Sequence, residues 1–79
     1  MRLLKIQAWL KANNIEYVYS ENDDCGGIEF TVRGLAYHIW EYPDPERGAA
    51  SNVRNCGKME DYEGEYESDI VSVLKSWNP

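Results

Sequence analysis

From Gly27 to Tyr42 the chain sets two apolar-rich runs on either side of an Arg33-Gly34 pair, the pattern of a β-hairpin closed by a tight turn. With that pair as the turn, Val32 lies opposite Leu35, Phe30 opposite Tyr37 and Ile28 opposite Ile39. Opposed residues share a sheet face, so these six apolar side chains predict one buried surface. The other face takes Thr31 opposite Ala36 and Glu29 opposite His38, with Trp40 and Tyr42 beyond them. Upstream, Ile15, Tyr17 and Tyr19 alternate with Glu16, Val18 and Ser20, which predicts a strand over 15–21. Asn22 to Gly27 is turn chemistry. An in-register return across it sets Tyr19 opposite Phe30 and Tyr17 opposite Val32. Residues 15–42 thus read as a three-stranded antiparallel meander.

Helical periodicity brackets this meander. Over residues 2–13, Leu3, Ile6 and Leu10 fall on one stripe with Leu4 and Trp9 on its shoulders, and Asn13-Asn14 supplies a left-handed stop. Over 66–77, Tyr66, Ile70, Val73, Leu74 and Trp77 form a second stripe, ended by Asn78-Pro79. Glu65, Glu67 and Asp69 at its start and Lys75 near its end complement the helix dipole. Pro43-Asp44-Pro45 ends the third strand, because proline offers a ladder no amide. Residues 43–59 then read as a polar loop, within which 49–55 is either a short helical turn or an irregular edge strand. The expected fold is a single α+β domain over 1–79, in the order α-β-β-β-α, with both helices on the apolar face of the sheet.

Composition narrows the function classes. A chain of 79 residues leaves little room for an enclosed active site, yet 43% hydrophobic and 13% aromatic content is globular rather than disordered. Met1-Arg2 leads into an amphipathic segment and no apolar run reaches the ~20 residues that cross a bilayer, so the chain reads as soluble and cytoplasmic. Cys25 and Cys56 lack CxxC spacing and read as two free thiols in a reducing compartment, a Cys25–Cys56 disulfide being the alternative. His38 is the one histidine, so no zinc ligand set is legible. Asp23-Asp24 lacks the alternating ligands of a calcium loop. No phosphate cradle, dinucleotide fingerprint or nucleophile elbow occurs, and no cofactor is implied.

Charge points to a partner. The formal net charge is −6, and Glu60, Asp61, Glu63, Glu65, Glu67 and Asp69 concentrate it ahead of and within the start of the last helix. Tyr62 and Tyr66 interleave these acids with stacking faces. Direct nucleic-acid binding needs a basic footprint that this chain lacks, and an anionic membrane surface would repel it. A basic protein surface is the complementary partner, and fixed carboxylates leading into a packed helix can imitate the phosphate spacing of a nucleic acid. Trp40 and Tyr42, followed by Arg47 and Arg54, have the composition of interface anchors. An alternative ligand or catalytic site would pass through His38 and Glu29, with Arg47, Arg54 and Cys56 from the loop. Self-association through Trp40 and Tyr42 is a third reading.

The segments His38-Ile-Trp-Glu, Ala49-Ala-Ser-Asn-Val and Glu60-Asp-Tyr-Glu-Gly-Glu-Tyr-Glu resemble a set of short bacterial reading frames of unassigned function, some carrying a bare kinase label. That label implies a phosphate loop and a catalytic lysine, neither of which is found here. In element order and acidity the chain is also similar to small acidic phage inhibitors of the anti-CRISPR kind, which implies nucleic-acid mimicry. The same order resembles double-stranded-RNA-binding domains, but the basic helix start that they use is replaced by Glu65, Glu67 and Asp69. Together these readings lead to a non-enzymatic acidic module that binds a basic protein, such as a nucleic-acid-binding protein.

Overall fold

The 27–42 hairpin forms in the register that its alternation dictates, with Ile28 paired to Ile39, Phe30 to Tyr37 and Val32 to Leu35. The computed structural model describes residues 2–43, 47–55 and 57–77. Its elements are α1 (Leu4–Ala12), β1 (Tyr17–Asn22), β2 (Cys25–Val32), β3 (Leu35–Glu41), β4 (Ala49–Ser51), β5 (Glu60–Tyr62) and α2 (Tyr66–Lys75). The five strands make one antiparallel sheet in sequential order, with β1 and β5 at its edges. Arg33 and Gly34 carry φ of 55° and 80°, the left-handed pair that a type I′ hairpin turn requires.

Both helices cover one face of the sheet. Ile6 and Leu10 of α1, Ile28 and Ile39 of the sheet, and Ile70 and Leu74 of α2 are each at most 1% exposed and belong to one core. Each such side chain contributes about 1.5–3 kcal/mol on burial. α1 ends as Asn13-Asn14 foretells: Asn14 is left-handed at φ 58°, and the amides of Asn14 and Ile15 bond back to the Lys11 and Leu10 carbonyls. Gln7 is buried in this helix, and its amide is satisfied at both ends, donating to the Arg2 carbonyl and accepting from the Tyr17 hydroxyl.

Four expectations need correction. The sheet has five strands rather than three, because residues 43–59 hold β4 and the first acids of the 60–69 run form β5. The first turn is Asp23-Asp24 alone, with φ of 50° and 62°, so Tyr17 faces Phe30 and Tyr19 faces Ile28, two residues off the expected pairing but on the same face. Gly26 and Gly27 belong to β2, where a Cβ on Gly26 would press on Arg2, Leu3 and Glu41 at 3.1–3.2 Å. Leu35, assigned to the buried surface, is 49% exposed at the hairpin tip. Cys56, residues 44–46 and the Asn78-Pro79 helix stop lie outside the described residues.

β4 and β5 exist because the outer edge of β3 has amides and carbonyls to satisfy. Gly48 makes the junction at φ 78°, and its carbonyl accepts from the Tyr42 amide. A Cβ there would lie 2.0 Å from the Tyr62 carbonyl oxygen. Beyond Ser51, side chains take over from backbone. Asn52 accepts from the His38 amide and donates to the Ala36 carbonyl, while the Ser51 hydroxyl donates to the His38 carbonyl.

Candidate functional site

The helix-free face of the sheet carries Trp40, which alternates with the buried Ile39 and Glu41 and is 41% exposed. One cross-strand row runs Gly27, Trp40, Ala50, Asp61. At ~4.8 Å per strand, Asp61 stands ~10 Å from Trp40 on the same surface. Ala50, short and flanked by both, is itself buried. Tyr42 continues the patch: its hydroxyl donates to Asp61 at 2.6 Å, and the Arg47 guanidinium carbon lies 3.8 Å from its ring centroid. The bond to Asp61, then burial, raises the Tyr42 phenol above its ordinary value. Arg47 also approaches Asp61 at 3.8 Å with both side chains more than half exposed, a contact worth less than about 1 kcal/mol. The structure thus joins Trp40 and Tyr42 to the first acids of the 60–69 run.

The six acids divide into two groups. Glu60 pairs with Arg54, whose Nε lies 3.3 Å from Oε2 but off the hydrogen-bond direction, leaving that buried oxygen without an aligned donor. Asp61 holds Tyr42. Glu67 accepts from the Lys5 amide at 3.0 Å, supplying the first turn of α1 with the cap that its own residues do not provide. Glu63, Glu65 and Asp69, in contrast, are exposed and make no ion pair with any described residue. Gly64 turns the chain between them at φ 64°.

His38 and Glu29 meet as a cross-strand pair, Nδ1 to Oε1 at 3.3 Å, with side chains 43% and 68% exposed. That is a solvated contact on the helix-free face. Arg47 and Arg54, also assigned to this alternative site, contact Asp61 and Glu60 instead, and Cys56, its last member, lies outside the described residues. Cys25 carries a free thiol. Among the described residues no cluster of His, Cys, Asp and Glu could hold a metal ion.

The most heavily bonded polar group, Glu41, has no distinguishing mark in the sequence. Its side chain is 4% exposed on the core face at the end of β3. Its oxygens accept from Arg2 Nε, from Arg2 Nη2 at 3.2 Å, from the Gly26 amide at 2.8 Å and from the Tyr66 hydroxyl. Burial acts to raise the Glu41 carboxyl, but these donors outweigh it and hold it below the usual carboxylate range. Burial and the same contact push the Tyr66 phenol up to about 12. The Arg2 amide also donates to the Tyr19 hydroxyl, so the chain start is tied to β1, β3 and α2 together. Leu3 follows in a left-handed conformation, φ 55°, at about 1–2 kcal/mol of backbone strain that this network restrains. A cavity of about 400 Å³ adjoins it, lined in part by Asp23, Asp24 and Cys25. With four donors on two oxygens, Glu41 ties segments together and has no lone pair left for proton transfer to a ligand.

Among the described residues no helix is long and apolar enough to cross a membrane. Comparison with family models, with curated proteins and with solved structures gave no match.

Proposed function

We propose that this chain is a non-enzymatic interaction module that presents its acidic edge, from Glu60 to Asp69, together with Trp40 and Tyr42, to a basic protein surface. The observation that carries this reading is the row Trp40–Ala50–Asp61, which sets an exposed aromatic and the start of the acidic run on one surface. Such a surface has the usual anatomy of an interface: an aromatic anchor beside a charged rim. Asp61 begins that rim, and Glu63, Glu65 and Asp69 continue the charge along the chain into the start of α2. They lie at a turn and a helix start, so their spacing is held by backbone rather than by flexible tail. In its sharpest form the reading is nucleic-acid mimicry, in which the carboxylates compete for a groove that normally takes phosphates.

The test is affinity capture from the native cell with the wild-type chain and with Glu63→Lys/Glu65→Lys/Asp69→Lys, each at low and high salt. The expected result is a protein retained by wild type at low salt, released at high salt and absent from the charge-reversed capture. Retention of the same protein by both chains, with circular dichroism showing both folded, would sink the proposal.

A further inference from the structure

The end of α2 remote from the acidic turn borders a half-open cleft of about 290 Å³. Three aromatic side chains line it: Trp9 from α1, Tyr37 from β3 and Trp77 just past α2. Tyr37 and Trp77 have ring centroids 4.7 Å apart, and Phe30 stacks on Tyr37 at 5.5 Å, so this wall is packed. Ile15, Val32 and Leu35 supply the apolar remainder, Leu35 at 49% exposure. The polar lining is Asn13 and Arg33. A cleft with aromatic walls and about as much polar as apolar lining suits a small molecule with an apolar body and a polar head, and this volume lies near the lower end of the range for such sites.

Arg33 decides the ligand class. It is the one charged residue of the lining, and it makes no ion pair with any described residue. It also occupies the first central position of a type I′ turn at φ 55°, where asparagine, aspartate or glycine is favoured. The equivalent position of the other hairpin holds Asp23, which follows that preference. The chain therefore places a cation at the cleft against local conformational preference, at a cost of about 1 kcal/mol. The indole N–H groups of Trp9 and Trp77 have no hydrogen-bond partner among the described residues either, which leaves further donors beside the guanidinium. α2 spans ten residues, or ~15 Å, so the acids at its start are screened from the cleft by more than one Debye length of ~8 Å. At that distance the acidic run does not cancel the local field of Arg33.

We infer that this cleft binds a small apolar carboxylate, its hydrocarbon or aromatic body against Trp9, Tyr37 and Trp77 and its carboxylate on the Arg33 guanidinium. One planar fork matches one carboxylate in bidentate geometry. A phosphate dianion would need a second cation that the lining lacks. The proposal is independent of the acidic interface, which lies at the other end of α2.

The probe is 3-phenylpropionate, titrated into the full chain and followed by amide and indole N–H resonances, with 3-phenylpropionamide as the uncharged control. Arg33→Asn supplies the test variant, because asparagine suits the turn and the fold is retained or strengthened. Expected are saturable shifts at the Trp9 and Trp77 indoles and at 32–35, with the acid binding about tenfold tighter than the amide, the scale of one charge-assisted hydrogen bond. In Arg33→Asn that preference disappears while weak binding of the amide persists and thermal stability does not fall. Absence of shifts at the cleft, equal binding of acid and amide, or an acid preference that survives Arg33→Asn would each overturn the inference. A loss of stability in Arg33→Asn would also overturn it, since Arg33 would then serve the fold.

Discussion

Trp40 of β3 and Asp61 of β5, far apart in the chain, share one cross-strand row, joined through Ala50 of β4. Two short strands make this relationship. Gly48 starts the first of them, and Tyr42 is then fixed between Arg47 and Asp61. The acidic edge and the exposed aromatic are therefore one surface only while β4 and β5 remain paired.

That dependence makes Gly48 a sharp position. Gly48→Ala drives a Cβ to 2.0 Å from the Tyr62 carbonyl in a backbone region that alanine avoids. Gly64→Ala meets the same conformational penalty with nothing within 4 Å. Chemical denaturation should show Gly64→Ala losing about 1 kcal/mol and Gly48→Ala losing at least twice as much. Equal losses would mean that the β4–β5 junction relaxes freely.

Asn52 tests whether side chains really finish the edge of β3. Asn52→Ala leaves the His38 amide and Ala36 carbonyl without the bonds that Asn52 makes, at an expected cost of about 2 kcal/mol. Hydrogen exchange at the His38 amide should accelerate more than at Phe30 or Ile28. Unchanged protection of His38 would contradict the assignment.

Glu41 gives the fold an acid limit. Its carboxyl is held below its ordinary value of 4.5, so folded Glu41 binds a proton less tightly than unfolded Glu41. The stability it contributes is complete above that value and is lost as pH falls through the lower, folded one. Glu41→Gln should cost about 2–4 kcal/mol at neutral pH, because Arg2, Gly26 and Tyr66 lose a charged acceptor. The variant should also show a shallower fall in melting temperature below pH 4.5 than wild type does. Parallel acid profiles would show that Glu41 does not carry this dependence.

Tyr66 sets the opposite limit. Its phenol is raised from 10.0 to about 12, so the folded state holds that proton more tightly than the unfolded state. Its contribution is complete below pH 10.0 and is lost as pH rises toward 12. Spectrophotometric titration should lose one late-titrating tyrosine in Tyr66→Phe. If the late component kept its full amplitude, the Glu41–Tyr66 contact would be wrong.

The residues explain which parts of this were legible in the sequence. The central hairpin could be read because both strands alternate for six or more residues around a turn that Gly34 marks. The first hairpin was displaced by two residues because Gly26-Gly27 looks like a turn, whereas both lie in β2, Gly26 where Arg2, Leu3 and Glu41 approach and Gly27 against Ser20. β4 and β5 have three residues each, too few to display a period, and β5 is acidic because it is an edge. Glu41 was invisible because its donors come from residues 2, 26 and 66, brought together only by the fold. The acids were legible as composition, but not their division into Glu60, Asp61 and Glu67 with internal partners and Glu63, Glu65 and Asp69 without.

The central claim is that this second group, together with Trp40, meets a basic protein. Its most direct measurement is the affinity of the captured partner, by titration calorimetry, for wild type, Glu63→Lys/Glu65→Lys/Asp69→Lys and Trp40→Ala. The account predicts at least about a tenfold loss for each variant and a salt dependence that is steep in wild type and flat after charge reversal. Unchanged affinity in both folded variants would contradict it.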